Sequence, residues 1–220
     1  MSFKTFLEDS NNFEDILQKI EKDCKPFLKH KRALWRGMDV GSEMFGEKKV
    51  RKDRKPRGGN ERLSAFVNGF LEWKKLPRRD KSIFATTGKD LSGAFGHPCL
   101  IFPKREFKFV WFERITDMNN FTNYDLYNLM ERLPNDIWKK DYATMYTAVK
   151  DGAETPDEQE QVNSLLSSLS YYERGHFPDQ GNKNEIIIEC DAYYYLMGSP
   201  YNQRIDEYPT THAIKRFDLK

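Results

Sequence analysis

The stretch NEIIIECDAYYYL, residues 184–196, contains the strongest β-strand signal in the chain. Its isoleucine triplet at 186–188 is β-branched throughout, and a loop rich in Gly, Pro and Asn (174–184) precedes it. A short apolar run bounded by turn signals is typical of a buried strand. We therefore predict a strand that opens at Glu185, and a continuation of the sheet at 193–196.

Further strand and helix signals lie on the N-terminal side of this strand. Apolar or β-favouring runs predict strands at 33–35, 82–86, 99–102 and 107–112. Apolar residues at helical spacing predict amphipathic helices over 13–20 and 63–71, and the stretch 122–173 is predicted to be mostly helical. This order indicates a single α+β domain of 220 residues with one mixed sheet and a helical insertion at about 117–173.

Composition excludes several classes of protein. With 36 basic and 34 acidic side chains the formal net charge is only +2, which argues against polyanion binding over the whole surface. The scattered cysteines (Cys24, Cys99 and Cys190) and the four histidines predict no disulfide framework and no metal site. No apolar run approaches the ~18 residues of a membrane span. The N-terminus also lacks a signal-peptide pattern, so we expect a cytoplasmic protein without a membrane partner.

Three segments combine strand signals with reactive side chains. They are LWRG at 34–37, IFATT at 83–87 running into AFG at 94–96, and NEIII at 184–188. Here the sequence resembles the arginine–serine–glutamate branch of the ADP-ribosyltransferase superfamily. Members carry an aromatic-Arg-Gly on the first strand, a Phe-x-Ser-Thr-Ser strand running into a helix, and a catalytic Glu opening a later apolar strand. The resemblance implies a mixed, split β-sheet of that type, flanked by helices.

The resemblance assigns roles to individual residues. It places Arg36 at the arginine position, Thr86 and Thr87 at the first Ser and the Thr, and Glu185 at the catalytic glutamate. Threonine in place of serine keeps the hydroxyl group. Lys183 stands where arginine-modifying members carry Gln or Glu, so the resemblance does not point to arginine as the acceptor.

The implied cofactor is NAD, and the chemistry explains the residue types. Cleavage of the nicotinamide–ribose bond passes through an oxocarbenium-like state, which the carboxylate of Glu185 can stabilise. The hydroxyl of Thr86 can fix that carboxylate, and the guanidinium of Arg36 can bind two phosphate oxygens. Aromatic side chains offer a face for the pyridine ring. The residues expected to contact NAD are Trp35, Arg36, Gly37, Phe84, Thr87 and Phe95.

Two other glutamates compete with Glu185 for the catalytic role. Glu189 lies four residues further along the same strand and points to the same face, and Glu113 follows the strand predicted at 107–112. We favour Glu185 because it begins its strand, beside a Gly/Asn loop that can border a cleft. The choice among the three stays open.

A basic segment at 48–57 is a candidate polyanion site. Its cations are Lys48, Lys49, Arg51, Lys52, Arg54, Lys55 and Arg57. Such a run is usually a solvated loop, yet it can also bind a phosphate backbone or the diphosphate of a cofactor. We expect a loop from residue 46 to residue 59.

The leading hypothesis is an NAD-dependent transferase that moves ADP-ribose to a macromolecular acceptor, either a protein or a nucleic acid. Its small size and charged surface would suit a phage protein acting on components of the host cytoplasm. The alternative is a non-catalytic phage-type protein that binds nucleic acid or a host protein through the basic segment. A virion-associated structural protein is a third hypothesis. Oligomeric state is not predicted.

Overall fold

The computed structural model describes residues 3–41, 43–54, 61–116, 124–197 and 209–220. Within these ranges the chain forms eight α-helices and eight β-strands. The strands are β1 (Trp35–Met38), β2 (Phe45–Lys49), β3 (Ile83–Ala85), β4 (His97–Pro103), β5 (Lys108–Phe112), β6 (Tyr172–Glu173), β7 (Ile186–Glu189) and β8 (Ala192–Met197). The helices are α1 (Phe3–Asp23), α2 (Lys25–Leu28), α3 (Glu61–Trp73), α4 (Lys89–Gly93), α5 (Tyr124–Arg132), α6 (Tyr142–Asp151), α7 (Pro156–Ser170) and α8 (Pro209–Arg216). The α+β class predicted from the sequence is confirmed.

The strands form two four-stranded sheets. The first has the order β1-β4-β8-β2 and the second the order β3-β7-β5-β6. Every strand pair in both sheets is antiparallel. The prediction of a mixed sheet is therefore wrong. It fails because strand direction depends on which strands pair, and the local sequence pattern does not specify the pairing.

One isolated bridge joins the two sheets. The amide of Trp35 donates to the carbonyl of Thr86 at 2.8 Å, and the amide of Thr86 donates to the carbonyl of Trp35 at 2.9 Å. Thr86 directly follows β3, so the bridge fixes β1 of the first sheet beside β3 of the second.

Strand β7 is buried on both of its faces. Ile186 and Ile188 belong to one core cluster, shared with the first sheet and α1, whereas Ile187 belongs to a second cluster. Side chains alternate between the faces of a strand, which explains this division. Burial on both sides also explains why the triplet is continuously apolar rather than alternating with polar residues.

The helical insertion forms the cover over the second face of this sheet. Helices α5, α6 and α7 pack with α3 around Val110, Phe112 and Ile187 of the second cluster. These helices lie within the stretch predicted to be helical (122–173), and residues 117–123 of the predicted insertion lie outside the described residues. The insertion therefore completes a core layer instead of extending from the domain as a long loop.

Several predicted boundaries differ from the structure. Arg36 lies within β1 and not at a strand end, and β2 occupies part of the predicted loop from 46 to 59. The first helix, predicted over 13–20, begins at Phe3 and ends at Asp23. Pro26 sits in the first turn of α2, where its missing N–H costs no hydrogen bond.

The three cysteines are buried and not paired with one another. In the part of the chain that the structure describes, no cluster of three or more His, Cys, Asp or Glu side chains could hold a metal ion. Nor does any helix within those ranges have the length and apolar character needed to cross a membrane.

A buried carboxylate ties two helices of the insertion together. Glu158, near the start of α7, accepts hydrogen bonds from the Arg132 guanidinium at 2.6 and 3.1 Å and from the amides of Glu154 and Thr155. Thr155 completes a capping box by accepting from the Glu158 amide. The Arg132 contacts, followed by these amides, lower the pKa of Glu158 to about 2 against the opposing effect of burial.

We predict that Glu158→Gln lowers the free energy of unfolding at neutral pH by about 1.5 kcal/mol, because a charge-assisted hydrogen bond is lost. A carboxylate with a depressed pKa stabilises the fold above its unfolded pKa and loses that effect as the pH falls. Wild type and variant should therefore converge between about pH 4.5 and pH 2. Urea unfolding across this range measures the difference. Glu160→Gln, an exposed position on the same helix, is the control and should leave stability nearly unchanged. An equal loss of unfolding free energy in Glu158→Gln and Glu160→Gln would contradict the stabilising role of the Glu158 carboxylate.

Candidate functional site

A large open cavity lies between β1, β2, β3, α3, α4 and the 3₁₀ turn Ile137–Lys139. Its volume is about 1810 Å³, well above the roughly 300–1,000 Å³ of a typical small-molecule site. Ten basic and six acidic side chains line it. The cavity is therefore wide enough for more than one small ligand, and its wall is net positive.

The cavity brings together residues that the sequence places far apart. Arg36, Thr86 and Glu185 all line it, and so do four of the residues expected to contact a cofactor: Trp35, Gly37, Phe84 and Phe95. Thr87 does not belong to the lining. Its hydroxyl is buried and donates to the carbonyls of Asp179 and Asn182, so it anchors a loop instead.

Arg36 reaches the cavity from the middle of β1. Its Nη1 donates to the carbonyl of Phe84 at 2.7 Å, while its Nε is buried without a hydrogen-bond partner. Tyr193 of the neighbouring β8 also lines the cavity. Burial raises the pKa of the Tyr193 phenol, and the positive charge of Arg36 opposes that rise. The guanidinium is thus held by the Phe84 carbonyl and interacts with the Tyr193 phenol.

Glu185 precedes β7 by one residue, and its amide donates to the carbonyl of Thr116 at 3.1 Å. Its carboxylate forms an ion pair with Arg79, and the two side chains are only 18% and 11% exposed. Arg79 lies in a 3₁₀ turn, Arg79–Lys81, and its amide donates to the Asn68 side chain. The carboxylate is therefore fixed by a cation that the sequence analysis did not single out.

The predicted role of the Thr86 hydroxyl is not what the structure shows. That hydroxyl donates to the carbonyl of Asn182 at 3.2 Å and accepts from the Gly88 amide at 3.2 Å. The bond between the Thr86 hydroxyl and the amide two residues further on is a local turn before α4, whose N-cap is Gly88. Arg79, not Thr86, orients the Glu185 carboxylate.

The ring of Phe84 is in contact with two further cations. The guanidinium carbons of Arg54 and Arg79 lie 4.7 and 4.5 Å from the centre of its ring. Arg54 also donates to the carbonyl of Ser82 at 3.0 Å. Burial, together with the like charges of Arg36 and Arg79, lowers the pKa of Arg54 to about 10.

The basic segment divides into residues that face the cavity and one that does not. Lys48 and Lys49 lie in β2 and, with Arg51 and Arg54, line the cavity. Lys52 instead pairs with Asp191 and donates to the Cys190 carbonyl. Lys55 and Arg57 lie outside the described residues.

The structure separates the three candidate glutamates. Glu185 lines the large cavity, whereas Glu113 lines a smaller one of about 400 Å³ beside His176. Glu189 lies opposite Lys108 in the second sheet and lines neither cavity. Of the three carboxylates, only that of Glu185 shares a cavity with Arg36.

Sequence reasoning missed Arg79 and gave Arg54 a different role. Arg79 sits in the charged turn PRRDK (77–81), which has no periodicity and no motif to mark one arginine over its neighbour. The only available signal was its closeness in sequence to β3. Arg54 was assigned to a polyanion-binding segment, and its contact with Phe84 depends on the fold.

The cavity wall next to Phe95 requires a glycine at position 37, because there is no room for a side chain there. A Cβ atom there would lie 2.2 Å from the Ser92 carbonyl oxygen and 2.7 Å from the Phe95 Cβ. Gly96, with a φ of +127°, likewise leaves no room for a side chain, because a Cβ atom there would lie 2.8 Å from the Met38 carbonyl oxygen. These close approaches hold α4 against β1 and keep Phe95 at the rim, where it is 65% exposed.

Comparison with known proteins gave no relative. No protein-family model, no curated protein and no solved structure matches this chain.

We predict that Gly37→Ala lowers the free energy of unfolding by about 2 kcal/mol, because β1 and α4 must separate to admit the methyl group. Gly93→Ala, in α4, is the matched control because a Cβ atom at that position meets nothing within 4 Å. It should be neutral or stabilising by up to about 1 kcal/mol. Thermal and urea unfolding of both variants provide the measurement, and a neutral Gly37→Ala would contradict the close packing.

Proposed function

We propose that the protein is an NAD-dependent transferase that moves ADP-ribose to a macromolecular acceptor at this cavity. One observation carries the proposal: Arg36 and Glu185 line the same cavity beside the aromatic ring of Phe84. The resemblance to ADP-ribosyltransferases supplies the reaction type, and the cavity supplies a cation, a carboxylate and an aromatic face at one place.

In the proposed reaction Glu185 stabilises positive charge. The nicotinamide–ribose bond breaks with an oxocarbenium-like state, and a preorganised carboxylate near the ribose lowers the energy of that state. Nicotinamide leaves with the bonding electron pair, and a nucleophile of the acceptor then forms the new bond to the ribose. With water as the acceptor, the outcome is NAD hydrolysis.

The dimensions of the cavity support a second, larger substrate. Its volume of about 1810 Å³ exceeds what a small-molecule ligand usually fills. Lys139 and Lys140 of the helical insertion are exposed and line the side formed with α3. The insertion therefore contributes to the part of the wall on which an acceptor would rest.

We predict that Glu185→Gln reduces nicotinamide release from NAD at least about 100-fold, because the variant loses the negative charge that stabilises the transition state. Glutamine keeps the size of the side chain and an oxygen that can accept from Arg79. Nicotinamide is quantified by chromatography after incubation with NAD, with and without added cell extract as a source of acceptors.

The matched control is Glu189→Gln, four residues along the same chain segment and outside the cavity. It should retain the wild-type rate. Circular dichroism and thermal unfolding establish that each variant is folded. Equal rates for Glu185→Gln and wild type, or no release from the wild type in either condition, would overturn the proposal.

A second candidate function, non-catalytic binding of nucleic acid, is favoured by the position of the exposed Lys49 and Arg51 on the cavity rim. They lie at and just after the end of β2, an edge strand of the first sheet. Adjacent cations at an open rim can contact successive phosphates.

For this candidate we predict salt-dependent binding of a single-stranded oligonucleotide. Lys49→Gln with Arg51→Gln should reduce the slope of log K against log salt by about 0.7 per lost phosphate contact. Lys52→Gln, whose side chain pairs with Asp191 away from the cavity, should leave the slope unchanged. Fluorescence anisotropy at several salt concentrations gives the slopes, and the absence of binding at low salt would exclude this function.

A further inference from the structure

Three arginines contact one residue of the cavity, Phe84, and concentrate positive charge there. Arg54 and Arg79 approach the ring of Phe84 to 4.7 and 4.5 Å, and Arg36 donates to the carbonyl of the same residue. We refer to Arg36, Arg54 and Arg79 as the arginine trio. Against its three positive charges stands the carboxylate of Glu185, bound to Arg79.

The other two members of the trio form no close ion pair among the described residues, although the Glu185 charge also acts on Arg54. Arg36 and Arg54 donate to the backbone carbonyls of Phe84 and Ser82. The Nε of Arg36 is buried with no acceptor. A buried donor and partly buried charges without counter-ions are costly, which is why they usually mark a binding site.

The neighbouring Arg78 is an arginine of the same cavity whose charge is balanced by carboxylates. It lines the same cavity, yet it pairs with Glu72 at 2.9 Å and with Asp80 at 2.7 Å. The hydrogen bond to Asp80 is the largest cause of its raised pKa, whereas burial and like charges lower the pKa of Arg54. The charge of Arg78 is therefore balanced by carboxylates, whereas Arg36 and Arg54 form no such ion pair.

We propose that the arginine trio binds a compact phosphoanion, such as the diphosphate of a nucleotide, and that this anion competes with Glu185 for Arg79. Guanidinium groups match phosphate oxygens through paired N–H donors. The trio converges on one residue, Phe84, whereas a polynucleotide strand spreads its charges along its length. A compact dianion fits this arrangement better than an extended backbone.

Exchange of partners at Arg79 has a consequence for Glu185. The ion pair holds the carboxylate against Arg79. When a phosphoanion takes over Arg79, this contact of the carboxylate is lost. Binding of the phosphoanion to the trio does not require that the site be catalytic.

The test is titration calorimetry of the full chain with inorganic pyrophosphate. The wild type should bind at millimolar or lower concentrations, and Arg54→Gln and Arg79→Gln should each weaken binding about tenfold, the loss of one charge-assisted contact. Arg78→Gln is the matched control and should change the affinity by no more than about twofold, as expected for a screened neighbouring charge. Glu185→Gln should tighten binding, because it removes the competitor for Arg79.

The sign of the Glu185→Gln effect separates this inference from the proposed function, in which the same variant loses NAD cleavage. Binding that is absent from the wild type, or unchanged in both Arg54→Gln and Arg79→Gln, would overturn the inference. Pyrophosphate should also raise the melting temperature of the wild type, a measurement that needs no variant. ADP-ribose should displace pyrophosphate. Displacement by a single-stranded oligonucleotide instead, with the same dependence on Arg79, would overturn the compact-anion assignment.

Discussion

Two hydrogen bonds between the backbones of Trp35 and Thr86 hold the candidate site together. They form the isolated bridge between the two sheets. Each of the two residues lies close in sequence to a residue whose side chain or carbonyl faces the cavity. Arg36 follows Trp35, and Phe84 lies two residues before Thr86. Because the bridge fixes β1 beside β3, the Arg36 guanidinium reaches the Phe84 carbonyl at 2.7 Å. Without this junction the two sheets would present their polar residues separately.

The second constraint is the burial of β7 on both faces. Ile186 and Ile188 face the first sheet and Ile187 faces the helical insertion, so the strand cannot shift by one residue without exchanging its two faces. Glu185 directly precedes this strand. Its position at the cavity therefore follows from apolar packing, and the ion pair with Arg79 adds orientation. A functional side chain beside a doubly buried strand is placed on a rigid support.

The sequence predicts the elements whose pattern is strong and local. The isoleucine triplet, the apolar stripe of α3 and the helices after residue 124 were identified because each buries a continuous or periodic apolar set. Strand β2 was missed because it is an edge strand whose Lys48 and Lys49 resemble a solvated loop. The antiparallel pairing and the junction of the sheets depend on contacts between distant segments, which no local pattern encodes.

The same division applies to the site. Arg36, Glu185 and Phe84 were found because each stands in or beside a strand with a recognisable pattern. Arg79 was not, because one of two adjacent arginines in a charged turn carries no distinguishing signal before the turn is folded. Thr86 was found for the wrong role, since its hydroxyl serves the backbone of the loop at 182 and the amide of Gly88.

The charge balance of the cavity follows from this packing. Phe84 is supported by β3, and three arginines from separate segments reach it: one from β1, one from the stretch after β2, and one from the turn before β3. An apolar residue at any of these positions would avoid the cost of crowding like charges in a partly buried place. Unfavourable crowding of like charges is expected where the charged side chains serve a function other than packing. The arginine that neutralises Glu185 also lies over the ring that Arg54 approaches, so the carboxylate and the crowded cations share one residue, Arg79.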